Sequence, residues 1–390
     1  MKDKKLVPKR RFKEFQNNDA WKQRKLSDVT IKVGSGKTPK GGSSVYKQFG
    51  IPLLRSQNIK NNRVNLQDVV YITQIMNEAM SNSLVMKNDV LLNITGASIG
   101  RSAVYNLTDP ANVNQHVCII RPNKEIDSNF IQLNLTSEKG QNQIEINQAG
   151  GAREGLNFQQ IAKMNFAYPN YKEQQKIGNF FKHLDHMISL EHRKLEKTKN
   201  LKSAYLAEML PAEGERLPKR RFKNYVNEWQ KMNFEQILIV NSGRDYKHLK
   251  KGSIPVYGTG GFMLLVDDKL SDVDAIGIGR KGTIDRPQLL KAPFWTVDTL
   301  FFLTPIKNID LYFLYIISQT INWRKMDEST GVPSLSKTTI EKISISIPCL
   351  NEQQAIGGFF KKIDDSIANQ QQKLNKLKAM KQAYLEEMFV

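Results

Sequence analysis

The chain has 390 residues, enough for two or three domains, and 40% hydrophobic with 9% aromatic content is the composition of a globular protein. Its 58 Lys and Arg against 38 Asp and Glu leave a formal charge of +20, which draws the chain to polyanions such as nucleic acid. Cys118 and Cys349 are too few for a disulfide framework or a cysteine zinc site, and no apolar run reaches the roughly 18–20 residues of a membrane span.

Met1-Lys2-Asp3-Lys4-Lys5 is basic but lacks the apolar stretch of a secretion signal, so a cytoplasmic protein without membrane partners is expected. Pro8-Lys9-Arg10-Arg11-Phe12-Lys13 follows, then Trp21. Turn signals next punctuate β-like segments: Ser35-Gly36, Gly41-Gly42, Val90-Leu91-Leu92, His116 to Ile120, then Pro122. These read as short strands joined by loops, and Asn129 to Leu135 reads as a helix packed on their sheet. Gly34-Ser35-Gly36-Lys37-Thr38 has the look of a phosphate loop. Ile31, however, stands where its first glycine belongs, and Pro39 where its helix should open.

No Pro or Gly interrupts Asn179 to Leu210, which predicts a helix of about thirty residues that Pro211 and Pro218 end. The text then begins again. Pro218-Lys219-Arg220-Arg221-Phe222-Lys223 repeats the opening segment letter for letter, and Trp229 follows as Trp21 did. Ser242-Gly243, Ile254-Pro255, Asp274 and Pro305 match Ser35-Gly36, Ile51-Pro52, Asp89 and Pro122 in order. Leu311 to Ile317 reads as the counterpart of the first short helix, and Phe359 to Val390 as a second long one. Glu173 to Met209 aligns with Glu352 to Met388 at 20 identities in 37 positions. A repeat of this size is a duplicated domain with its helix, not a solenoid of small units.

Both long helices carry apolar positions at alternating spacings of four and three. Leu184, Ile188, Leu195 and Tyr205 lie on one stripe; Ile363, Ile367, Leu374, Leu377 and Tyr384 lie on the other. This is a coiled-coil seam. Because the order is domain, helix, domain, helix, a helix that returns to pair with the first must run antiparallel. The expected fold is therefore α+β, with two tandem β-rich domains on an antiparallel coiled coil and a pseudo-twofold repeat. The expected boundaries are 1–171, 172–211, 212–350 and 351–390.

No residue set for catalysis is present. Gly277-Ile278-Gly279-Arg280-Lys281-Gly282 satisfies a dinucleotide fingerprint literally, but Thr283 to Pro287 follows in place of a helix. A glycine turn that displays Arg280 and Lys281 suits nucleic acid better, since glycine allows close backbone approach and arginine reads guanine. Thr95, Ser98 and Arg101 occupy the matched turn of the first copy. With Lys37, Thr38, Arg244 and Thr283 they complete the candidate DNA contacts. His183 and His186 sit three apart on a helix face, but no cysteine or carboxylate completes a metal set. The doubled Pro-Lys-Arg-Arg-Phe-Lys is read as a docking segment at the helix ends rather than as a phosphate clamp.

The doubled order of these marks resembles the specificity subunit of type I restriction–modification systems along nearly the whole chain. The marks are the two Pro-Lys-Arg-Arg-Phe segments with Trp21 and Trp229, the two Ser-Gly turns, and Thr95 to Gly100. Gly279 to Thr283, Pro293-Phe294-Trp295 and the two Glu-Gln-Gln helix starts complete them. The resemblance implies two target-recognition domains that read a bipartite, asymmetric site in double-stranded DNA. It implies helices that bind two methyltransferase subunits, with restriction subunits added in the full complex. S-adenosylmethionine, ATP and Mg2+ would reside on those partners and no cofactor on this chain. An active DNA methyltransferase or nuclease, or a coiled-coil scaffold without base readout, stand as the alternatives.

Overall fold

The computed structural model describes residues 6–148, 155–212 and 214–390; the basic start Met1–Lys5 lies outside them. The chain divides into two compact units, Met1–Glu191 with Lys373–Val390, and His192–Gln372. Each long helix thus contributes one part to either unit.

Unit 1 is built around a four-stranded antiparallel sheet of β1 (Thr30–Ser35), β2 (Val90–Asn93), β3 (Ser102–Val104) and β4 (Val117–Pro122), in the order β1-β4-β2-β3. β4 is central, and its side chains alternate between two cores as strand geometry requires. Cys118 and Ile120 join Trp21, Phe130, Phe166 and Phe181 on one face. Val117 and Ile119 join Leu54, Val85 and Tyr105 on the other. A second four-stranded sheet supplies part of that other face, through Ile51–Leu54 and Leu84–Val85. Helix α1 (Ser128–Thr136) starts where the Asp127 carboxylate accepts the Phe130 amide at 3.1 Å, a side-chain cap. Among the described residues two more short helices and a strand separate it from α2 (Tyr171–Met209), the first long helix.

Unit 2 repeats this plan. Its main sheet comprises β5 (Leu238–Ser242), β8 (Ala275–Gly279), β9 (Gln288–Leu290) and β11 (Leu300–Pro305), in the order β5-β11-β8-β9. A smaller sheet of β6 (Lys251–Gly258), β7 (Gly261–Val266) and β10 (Trp295–Thr296) has the order β7-β6-β10. Phe301 and Leu303 face the core of Trp229, Phe313 and Phe360, while Leu300 and Phe302 face that of Val256, Phe294 and Trp295. Asp310 caps α3 (Leu311–Thr320) as Asp127 caps α1, and α4 (Leu350–Met388) is the second long helix.

The long helices begin earlier than their glycine-free stretches, because Gly178 and Gly357 are packed inside them. A Cβ at Gly178 would lie 2.8 Å from Asp127 Oδ1, and one at Gly357 would lie 2.6 Å from Asp310 Oδ1. The bare glycine backbone lets each long helix touch the cap of the short one. In unit 1 the start of α2, at Phe181 and Leu184, shares a core with the end of α4, at Leu385 and Met388. In unit 2 Met209, near the end of α2, shares a core with Ile356 and Phe360 near the start of α4. The pairing is antiparallel in each. Of the seam residues, Leu184, Leu195, Leu374 and Leu377 are buried, while Ile188, Tyr205, Ile363, Ile367 and Tyr384 are half-buried. Lys381 meets Asp185 at 2.6 Å in unit 1, and Lys202 meets Asp364 at 2.7 Å in unit 2. Among the described residues no helix is long and apolar enough to cross a membrane.

Burial pushes the Cys118 thiol up to about 12, so it stays protonated and unreactive at neutral pH, whereas Cys349 is exposed. A maleimide is therefore expected to label Cys349 alone in the folded chain and both cysteines after denaturation. Rapid native labelling of Cys118, read by peptide mass spectrometry, would contradict the burial.

Candidate nucleic-acid interface

In each unit the candidate contacts collect at one end of the main sheet, around the turn that precedes its central strand. In unit 1, Ser35 pairs with Cys118 and Asn93 with Val117, so the loops after β1 and β2 leave the sheet beside the turn Asn114–His116. The approach is so close that a Cβ at Gly36 would lie 1.5 Å from the Val113 carbonyl oxygen. Only glycine fits, and the Ser-Gly pairs of both copies follow from this. The Thr38 hydroxyl donates to Gln115 Oε1, Gln115 Nε2 lies 3.2 Å from His116 Nε2, and His116 Nδ1 shares a 2.7 Å hydrogen bond with the Thr95 hydroxyl. The sheet end thus carries a hydrogen-bonded chain of polar side chains. Ser98 accepts from Asn93 Nδ2 at 3.1 Å, while Lys37 and Arg101 are exposed.

Unit 2 has the same strand order in its main sheet with different side chains at this end. Gly243 donates to the Leu300 carbonyl at 3.2 Å, Arg244 to that of Thr296 at 2.9 Å, and Arg280 to that of Thr299 at 2.8 Å. Both arginines are thereby fixed on either side of the turn Val297–Thr299, with their side chains exposed. The Arg280 guanidinium lies 5.7 Å from the centre of the Phe301 ring, a cation–π distance. Lys281 is exposed and its backbone is bridged to Ser334; Thr283 is half-buried. The glycine fingerprint therefore ends strand β8 and enters a turn, so no helix N-terminus is offered to a pyrophosphate there.

Thr38 and Thr95 are brought together through Gln115 and His116, and Arg244 and Arg280 through one turn. Gln115 and His116 also stand at this sheet end, outside the set of candidate contacts that the sequence marks. Their only signal is a polar pair immediately before a buried apolar strand, and it becomes visible once β4 is known to be central.

The basic segments at the helix ends do a different job. Arg11 makes a bidentate pair with Glu173, both contacts 2.7 Å, and Arg221 pairs with Glu352 at 2.6 and 2.7 Å. The hydrogen bonds that Arg11 donates to Glu173 hold its guanidinium above the ordinary pKa. Arg10 meets Glu387 and lies 5.2 Å from the Tyr384 ring centre; Arg220 meets Glu208 and lies 5.5 Å from that of Tyr205. The next residue of each Glu-Gln-Gln start secures the cap. Gln174 Oε1 accepts from the Asp127 amide at 3.1 Å, and Gln353 Oε1 accepts from the Asp310 amide at 3.0 Å. Arg10, Arg11, Arg220 and Arg221 are thus engaged in docking each opening segment onto one helix start and one helix end. His183 and His186 are exposed. Among the described residues no group of three or more His, Cys, Asp or Glu is placed to hold a metal ion.

A family model for the type I restriction modification DNA specificity domain matches residues 18–200 and again 227–379. The putative type I restriction enzyme MjaX specificity subunit of Methanocaldococcus jannaschii is 21% identical over 391 aligned positions, covering 89% of this chain and 87% of the relative. The type I restriction enzyme EcoKI specificity subunit of Escherichia coli is 23% identical over 228 positions, 56% of this chain and 48% of the relative. The crystal structure of a type I restriction–modification S subunit from M. genitalium shares the fold at a TM-score of 0.71, with 16% identity and 99% of both chains covered. Two sheet ends of one design, each inside a matched copy, complete the assignment: the chain belongs to the type I restriction–modification DNA specificity family.

Proposed function

We propose that this chain gives a type I restriction–modification complex its address, each unit reading one half of a split, asymmetric site in double-stranded DNA. The observation that carries this reading is the doubled sheet end, where one backbone scaffold presents two different sets of side chains. Arg244 and Arg280 in unit 2 are suited to the O6 and N7 acceptors of guanine, and Gln115 in unit 1 to the N6 and N7 pair of adenine. The exposed Lys37, Arg101 and Lys281 and the hydroxyls of Thr38, Thr95, Ser98 and Thr283 complete the proposed contact set.

The catalytic work falls to partners in this reading. Two methyltransferase subunits that carry S-adenosylmethionine bind the paired helices and methylate adenine, and restriction subunits that use ATP and Mg2+ cut. The chain itself turns over no substrate, and the complex works in the cytoplasm.

The test is methylome sequencing after co-expression with the cognate methyltransferase subunit in a host free of other methylation. One split motif is expected, with two specified halves around an unspecified gap of constant length. Arg280→Ala should relax one position in one half only, at about 1–3 kcal/mol for a guanine contact. A single contiguous motif in the wild type would overturn the two-reader assignment.

A further inference from the structure

We infer that a lysine-rimmed groove in unit 2 seats the sugar–phosphate backbone of the duplex, a contact separate from the base-reading turn. This rests on the DNA-reading role proposed above. The groove, of about 500 Å³, lies between the loop that leaves β5 and the edge strand β7. Tyr246, Phe262 and Leu264 form its apolar wall, while Lys247, Lys250 and Lys251 border it. The three lysines are exposed, and among the described residues none of them is engaged in an ion pair. Nearby Lys269 and Lys291, in contrast, are held by Asp272 and Asp274 at 2.6 and 2.5 Å. Phe262 and Leu265, both lining the groove, are 61% and 42% exposed, an apolar patch of the kind that marks an interaction surface.

Two observations choose the occupant. The groove loop starts at Arg244, whose amide is fixed on the turn that also holds Arg280, so the groove adjoins the proposed base-reading turn along the chain. The corresponding loop of copy one is also basic, with Lys37, Lys40 and Lys47 and no acidic residue, although its letters are otherwise unlike. Charge kept while side chains diverge is what a ligand common to every half-site requires, and the sugar–phosphate backbone is what all DNA sequences share. The deoxyribose faces pack on the apolar wall, and the ammonium groups reach the phosphates on either side.

The experiment uses the complex with its methyltransferase subunit and two duplexes, one carrying the methylated motif and one scrambled. Affinity is measured by fluorescence anisotropy from about 50 to 200 mM salt. Each phosphate contact adds about 0.9 to the slope of log affinity against log salt. Lys247→Gln, Lys250→Gln and Lys251→Gln combined should therefore lower the slope by about 2.7, so that wild type loses about 40-fold more affinity than the variant across this range. Both duplexes should weaken alike, and the triple Lys→Arg variant should restore the slope. An unchanged slope overturns the inference. So does weaker association with the methyltransferase subunit at an unchanged slope, which would assign the groove to an acidic protein segment. A wild-type complex that failed to prefer its motif over the scrambled duplex would sink the base-reading role instead, a result independent of the slope difference.

Discussion

Glu173→Ala is expected to destabilise unit 1 by about 3–5 kcal/mol, the effect of leaving a buried charge without its partner. The side chains of Arg11 and Glu173 are 6% and 0% exposed, so water cannot replace the lost carboxylate. The same change removes the acceptor, at 3.4 Å, of the buried Trp21 indole N–H. Glu352→Ala should act in the same direction but less strongly on unit 2, where it strands Arg221, whose side chain is 15% exposed. It costs no indole hydrogen bond there, because none joins Trp229 to Glu352. Replacing both partners of one pair by apolar residues of similar volume should recover much of the loss, since no lone charge then stays buried. Hydrogen exchange locates the effect. The Trp21 amide, which donates to the Leu6 carbonyl at 2.8 Å, should lose protection in Glu173→Ala, and the Trp229 amide, bonded to Arg216, in Glu352→Ala. A loss below about 1 kcal/mol for either variant would show that the pair behaves as an exposed salt bridge.

Gly243→Ala should erase the half-site of unit 2 and leave the other half readable. The new Cβ would lie 2.0 Å from the Val297 carbonyl oxygen and 2.6 Å from its carbon, and backbone cannot rotate aside as a side chain does. The turn that fixes Arg244 and Arg280 must move. Overpacking of this kind costs about 1–3 kcal/mol in a packed site, and displaced arginines lose their geometry on a base edge. Gly36→Ala is the mirror experiment, with its Cβ 1.5 Å from Val113 oxygen, and should affect the other half. Gly260→Ala and Gly34→Ala, where nothing lies within 4 Å of the added carbon, serve as controls. Thermal melting and methylome sequencing read both effects. Full retention of both half-sites in Gly243→Ala would show that the Ser-Gly pair has no part in positioning the turn.

Much of this molecule was legible in its sequence, because its strongest signals are local or repeated. The 20 identities between the two helix stretches, the seam spacing and the doubled opening segment need no tertiary knowledge. They are enough for a duplicated α+β chain with paired antiparallel helices. Arg280 and Lys281 could be marked as displayed because a glycine turn is itself a local feature.

What folding alone decided lies in contacts distant along the chain. Arg11 and Glu173 are 162 residues apart, and no periodicity joins them. Both long helices extend back through Gly178 and Gly357 because a neighbouring cap occupies the space a Cβ would take; propensity alone counts those glycines as breaks. Gln115 and His116 became part of a polar chain only when β4 took its place between β1 and β2. The seam runs without interruption past Glu191 and Gln372, so its spacing gives no hint that the compact units divide there. Sequence periodicity specifies which face of an element is apolar, whereas partner choice depends on which faces meet once the chain is closed.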